Sequence, residues 1–157
     1  MGKFSVEIKW GLIFFVVALA WMYFEKLMGW HGEKIDQHAT YTLLFMPIAI
    51  LMYVLALREK KEKNDGILSW KEGFKAGLVI ALVVAVLSPL SQFIVHKVIS
   101  PDYFDTVIKY SVDNGFLTQE QAETNFNLNS YIWQSVIGAI GAGAITSAIV
   151  AIFVRNR

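Results

Sequence analysis

Four long segments of this chain carry almost no charge, and each is long enough to cross a lipid bilayer as a helix. They fall at about 10–28, 40–57, 74–96 and 131–154, against the roughly 20 residues that an apolar helix needs to cover the hydrocarbon core. The first holds only Glu25 and Lys26 near its far end, the third only Lys75 at its border, and the second and fourth hold no charge. In lipid the backbone must satisfy its own amides and carbonyls, so uncharged runs of this length are helices. Four of them in 157 residues leave no room for a water-soluble core. The expected fold is therefore all-α, an integral membrane four-helix bundle forming a single domain over 1–157. A short helical external segment, 100–130, separates the third and fourth spans.

Net charge is only +1, which argues against a nucleic-acid partner. The chain has no cysteine, which removes disulfides, thiolate catalysis and the common structural zinc and iron–sulfur sites. Ala18-Leu19-Ala20 has the look of a signal cleavage site, but Glu7 interrupts the basic region before it. The apolar run also continues through Trp21, Met22, Tyr23 and Phe24, so a retained span is expected.

Orientation follows from the basic residues. Lys3, Lys9, Arg58, Lys60, Lys61, Lys63, Lys71, Lys75, Arg155 and Arg157 share one side, whereas Lys26, Lys34, Lys97 and Lys109 share the other. The richer side is expected to be cytoplasmic, with both termini on it. Trp10, Trp30, Tyr41, Trp70, Tyr131 and Trp133 lie near span ends, as aromatic anchors at the headgroups do. The run Arg58-Glu59-Lys60-Lys61-Glu62-Lys63 mixes signs and reads as a solvated, topology-setting loop rather than a lipid-binding cluster.

Outside the spans, Ser69-Trp70-Lys71-Glu72 and Thr118-Gln119-Glu120-Gln121 match the capping box and predict two helix starts. Pro101 can open a helix in which Tyr103, Phe104, Val107, Ile108 and Ser111 form a largely apolar stripe, ended by Asp113-Asn114-Gly115. That helix is expected on the membrane surface or as a lid on the bundle. A calcium loop starting at Asp113 is not expected, because Gly115 and Thr124 stand where carboxylates are required.

Three constellations are candidates for function. Ser135, Ala139, Gly143 and Ser147 recur every four residues in the fourth span, a face that lets helix backbones approach closely. Packing inside the bundle is the preferred use of that stripe, ahead of self-association. Ser88, Gln92 and His96 follow one face of the third span and form a polar strip approaching the external side. Glu25, His31 and His38 are expected near the same surface, with the two loop histidines solvated and no metal site formed. Pro47 and Pro89 interrupt the second and third spans, a feature shared with some transport sites. No nucleophile elbow, phosphate loop, zinc-helix motif or dinucleotide fingerprint is present, so no catalytic residue and no cofactor are assigned.

The stretch Leu68-Ser69-Trp70-Lys71-Glu72-Gly73-Phe74-Lys75-Ala76-Gly77, followed by an apolar span and Val98-Ile99-Ser100-Pro101-Asp102-Tyr103, resembles a bacterial membrane family catalogued as a domain of unknown function, family 4199. The resemblance covers nearly the whole chain. It implies four spans, a larger loop before the last, and a bacterial inner-membrane location, and it supplies no activity or functional residues. The expectation is a non-enzymatic membrane protein embedded in the lipid bilayer, acting as an assembly or accessory protein with itself or another membrane protein. A small membrane carrier or channel is the alternative.

Overall fold

The computed structural model describes residues 4–156; Lys3 and Arg157, counted in the charge asymmetry, lie outside them. The elements are α1 (Ser5–Leu27), α2 (Ile35–Tyr41), a 3-10 turn (Thr42–Leu44), α3 (Phe45–Lys63) and α4 (Trp70–Ile94). A π turn (Val95–Ile99) prolongs α4, and α5 (Tyr103–Asp113), α6 (Gln119–Asn125) and α7 (Leu128–Val154) follow. There is no strand among the described residues.

Four apolar spans run over Ser5–Leu27, Ile35–Lys63, Trp70–Ile99 and Leu128–Val154. Between 17% and 28% of their most apolar windows is buried inside the protein, so most of each span faces outward. Val86 is 78% exposed and Phe153 82%, and both stand among many other exposed aliphatic and aromatic side chains. An apolar exterior this continuous is stable in hydrocarbon and would aggregate in water. The chain is a multi-pass membrane protein.

The bundle is centred on the antiparallel pair α4 and α7. On α4, Gly73, Gly77 and Ala81 stand at four-residue steps, and each meets a small residue of α7. A Cβ on Gly73 would lie 3.0 Å from the Ala151 Cβ, and one on Gly77 would lie 2.4 Å from the Ser147 Cβ. A Cβ on Gly143 would lie 2.4 Å from the Ala81 Cβ. The backbones thus touch along this seam, where dispersion replaces the hydrophobic effect as the source of attraction. Tyr53, Ala56 and Leu57 of α3 close the core beside Ile80, Val150 and Val154. Gly11 lets α1 approach α4 at Val83, 2.4 Å from where its Cβ would be.

The two termini and the α3–α4 connection share one end of the bundle. Asn156 stitches that end together: its side chain accepts from the Leu68 amide at 2.7 Å and its amide donates to the Leu68 carbonyl at 3.0 Å. Glu7 is buried there and pairs with Lys60 at 2.7 Å, while Glu59 takes Lys9 and the Trp10 indole. Trp70 likewise donates to the Ala148 carbonyl at 3.0 Å. At this end of the bundle the expected headgroup anchors Trp10 and Trp70 therefore have partners within the protein.

Both capping boxes are present, at Ser69 with Glu72 and at Thr118 with Gln121. Pro47 is the third residue of α3, directly after the 3-10 turn that interrupts the second span. Pro89 lies within α4. The connection between α1 and α3 departs from expectation, because helix begins at Ile35 rather than near Thr40 and takes in His38. Asp36 in the first turn of α2 favours this start through the helix dipole.

Candidate functional site

At the end away from the termini, α1, α2, α4, α5 and α7 converge on a group of polar and aromatic side chains. Glu25, on the last full turn of α1, is fully buried there. Such a carboxylate needs several hydrogen bonds to remain ionised out of water. Trp21, one turn earlier, donates its indole N–H to Oε1 at 2.6 Å. On the other oxygen, Oε2, two histidines converge: His31 Nε2 at 3.1 Å and His38 Nε2 at 3.4 Å.

Local chemistry explains how His31 comes to point inward. Gly29 takes φ +82°, a left-handed conformation that lets the chain turn back over the end of α1. Trp30 then buries itself, stacking on Tyr41 of α2 with ring centroids 4.7 Å apart. His31 follows into the bundle, where Ser100 Oγ holds its Nδ1 at 2.7 Å. The sequence-based expectation of solvated histidines is corrected here. His31 is 5% exposed, because the loop folds inward on Trp30, and the helix start at Ile35 points His38 toward Glu25.

Tyr103 of α5 roofs the group. Its ring lies 5.3 Å from His31 and 5.4 Å from His38, centroid to centroid, and its hydroxyl meets that of Tyr131 at 3.1 Å. Burial pushes the Tyr103 hydroxyl far above its ordinary range, with Tyr131 and Glu25 adding to the shift, so it stays a neutral phenol. The stripe Tyr103, Val107 and Ser111 is buried, which makes α5 a lid on the bundle. His96 stacks on Phe104 at 4.2 Å and meets Gln92 Oε1 through Nε2 at 3.1 Å.

Below this roof lies a chamber of about 290 Å³ bounded by all four spans. Phe14, Trp21, Phe45 and Tyr53 give it an aromatic wall, and Ser88, Ser91 and Gln92 of α4 give it a polar strip. Of the polar face read from the sequence, Ser88 and Gln92 line the chamber, whereas His96 is buried above it in the roof. Ser88 spends its own proton on the Val84 carbonyl at 2.9 Å.

The small-residue stripe divides in two. Gly143 and Ser147 are buried in the α4–α7 seam, with Gly143 also at the edge of the chamber, and Ser135 and Ala139 line the chamber. Sequence reasoning missed the matching face of α4, although Gly73, Gly77, Ala81 and Ala85 at four-residue steps were the signal for it. It placed Glu25, His31 and His38 near one surface but expected solvated histidines, where the structure pairs both with the buried carboxylate.

No curated protein and no solved structure matches this chain. One family model matches residues 9–156, under the description "Protein of unknown function (DUF4199)". That match takes in all four spans, the chamber and the roof, and on it the chain belongs to the DUF4199 family.

Proposed function

We propose that this protein is a non-enzymatic membrane protein that binds a small, largely apolar molecule within its spans, as a carrier does. The observation that carries this reading is the chamber, where a polar strip from α4 faces an aromatic wall from α1 and α3. Its volume of about 290 Å³ is at the small end for a ligand pocket, and a mostly apolar lining with a few convergent polar groups is what such pockets have. The occupant is a compact molecule with one hydrogen-bonding head directed at Ser91 and Gln92. On this reading the roof faces the outside of a bacterial inner membrane and the termini face the cytoplasm.

The two features that favoured assembly are used inside the chain. The stripe of α7 packs on α4 and borders the chamber, and the apolar face of α5 packs on the bundle. The test is to extract the purified protein with organic solvent and identify what co-purifies by mass spectrometry, beside an Ala139→Trp variant that fills the chamber. A small molecule near one per chain, lost in the variant, is the expected result. Bulk lipid alone in both preparations would overturn the reading. Association with itself or another membrane protein is a second reading, supported by Gly138 and Gly141, which face outward from α7 with nothing packed within 4 Å of a Cβ placed there. Gentle extraction followed by mass measurement tests it, with a lone monomer as the result against it.

A further inference from the structure

We propose that Glu25, His31 and His38 form a binding site for a divalent first-row transition metal of the zinc type. The three side chains come from the end of α1, the following loop and α2, and their donor atoms lie within 4.8 Å of one another. Donors about 2.0 Å from a tetrahedral ion stand about 3.3 Å apart. His31 Nε2 and His38 Nε2 stand 3.1 and 3.4 Å from Glu25 Oε2, so two of the three edges already have that length.

The surroundings of each ligand suit a metal better than a closed hydrogen-bond network. His38 Nε2 is buried and has no hydrogen-bond partner, although it is directed at the carboxylate. An unpaired buried ring nitrogen is costly, and a bound cation removes that cost. His31 Nδ1 lies 2.7 Å from Ser100 Oγ, an outer-sphere contact that can accept the Nδ1 proton when Nε2 coordinates. Trp21 occupies Oε1 of Glu25 and leaves Oε2 to the ion. His96 lies outside the group of donors that come within 4.8 Å of one another, and Gln92 engages its Nε2.

Two imidazoles and one carboxylate, with no sulfur among the three ligands, select a borderline ion such as Zn²⁺ or Co²⁺ over Cu⁺ or Ca²⁺. Three protein ligands leave a fourth position for water or a ligand atom. A surface cleft of about 420 Å³, bordered by His31, Ser100 and Tyr103, offers the ion a path in from the aqueous side.

The test uses the full chain purified in detergent and treated with chelator, then titrated with Co²⁺ and back-titrated with Zn²⁺. One Co²⁺ per chain, with visible absorption typical of a four- or five-coordinate site and displacement by Zn²⁺, is expected. His38→Ala should weaken binding beyond the roughly 10- to 100-fold that loss of an outer contact causes, and Ser100→Ala should fall within that range. X-ray absorption on the Zn²⁺-loaded wild type should count two imidazoles per ion, and this holds even where a variant fails to fold. Absence of saturable Co²⁺ binding by the wild type, a different imidazole count, or unchanged affinity in a folded His38→Ala protein would each overturn the site.

Discussion

Glycine at 77 and 143 is where a single methyl group matters most in this bundle. A Cβ at Gly77 would sit 3.2 Å from the Ser147 Cα, so backbone as well as side chain would have to move. Gly77→Ala should destabilise the protein by about 1–3 kcal/mol, the usual cost of overpacking, seen as a lower Tm in detergent. Gly141→Ala meets nothing within 4 Å and should leave Tm unchanged or raise it, since alanine is the better helix former by about 1 kcal/mol. The same measurement on both variants separates close packing from a general intolerance of side chains at the glycines of the spans. At this scale the stripe on α7 was legible because its spacing is local. The burial of His31 was not, because it depends on Trp30 finding Tyr41 across a turn.

Helix starts and stops in the connections follow local chemistry closely. The Ser69 hydroxyl accepts from the Glu72 amide, and Glu72 Oε2 accepts from the Ser69 amide at 2.8 Å. Ser69→Ala should cost about 1 kcal/mol of stability, read from the same thermal melts. The segment after α4 is less uniform than its composition suggests. α5 buries Tyr103, Val107 and Ser111, whereas α6 buries only Ala122. Amide hydrogen exchange followed by mass spectrometry should therefore show strong protection over residues 107–111 and weak protection over 120–124. Equal exchange in the two helices would argue against α5 as a docked lid. The apolar stripe of α5 was readable from its spacing, but whether it met lipid, a partner or the bundle was not. That choice was made by Tyr103 packing on the histidines, a contact between residues far apart in the chain.

For the molecule as a whole, the natural lack of cysteine makes orientation directly testable. Single substitutions Glu62→Cys and Glu120→Cys place one thiol at each end of the bundle. In intact cells a membrane-impermeant maleimide should label Glu120→Cys and spare Glu62→Cys until the membrane is permeabilised. The reverse pattern would place the histidine-rich end on the cytoplasmic side and invert the charge argument. Four helices, their rough limits and their lipid surroundings were determined by the sequence alone, because span length and exclusion of charge depend on each segment and its solvent, not on its neighbours. Only the tertiary structure decided which small faces meet, where the α4–α7 seam gives way to a chamber, and that Glu25, His31 and His38 share one site. Those are contacts between segments, and their energies come from side-chain shape and hydrogen-bond geometry across the bundle, which no local pattern records.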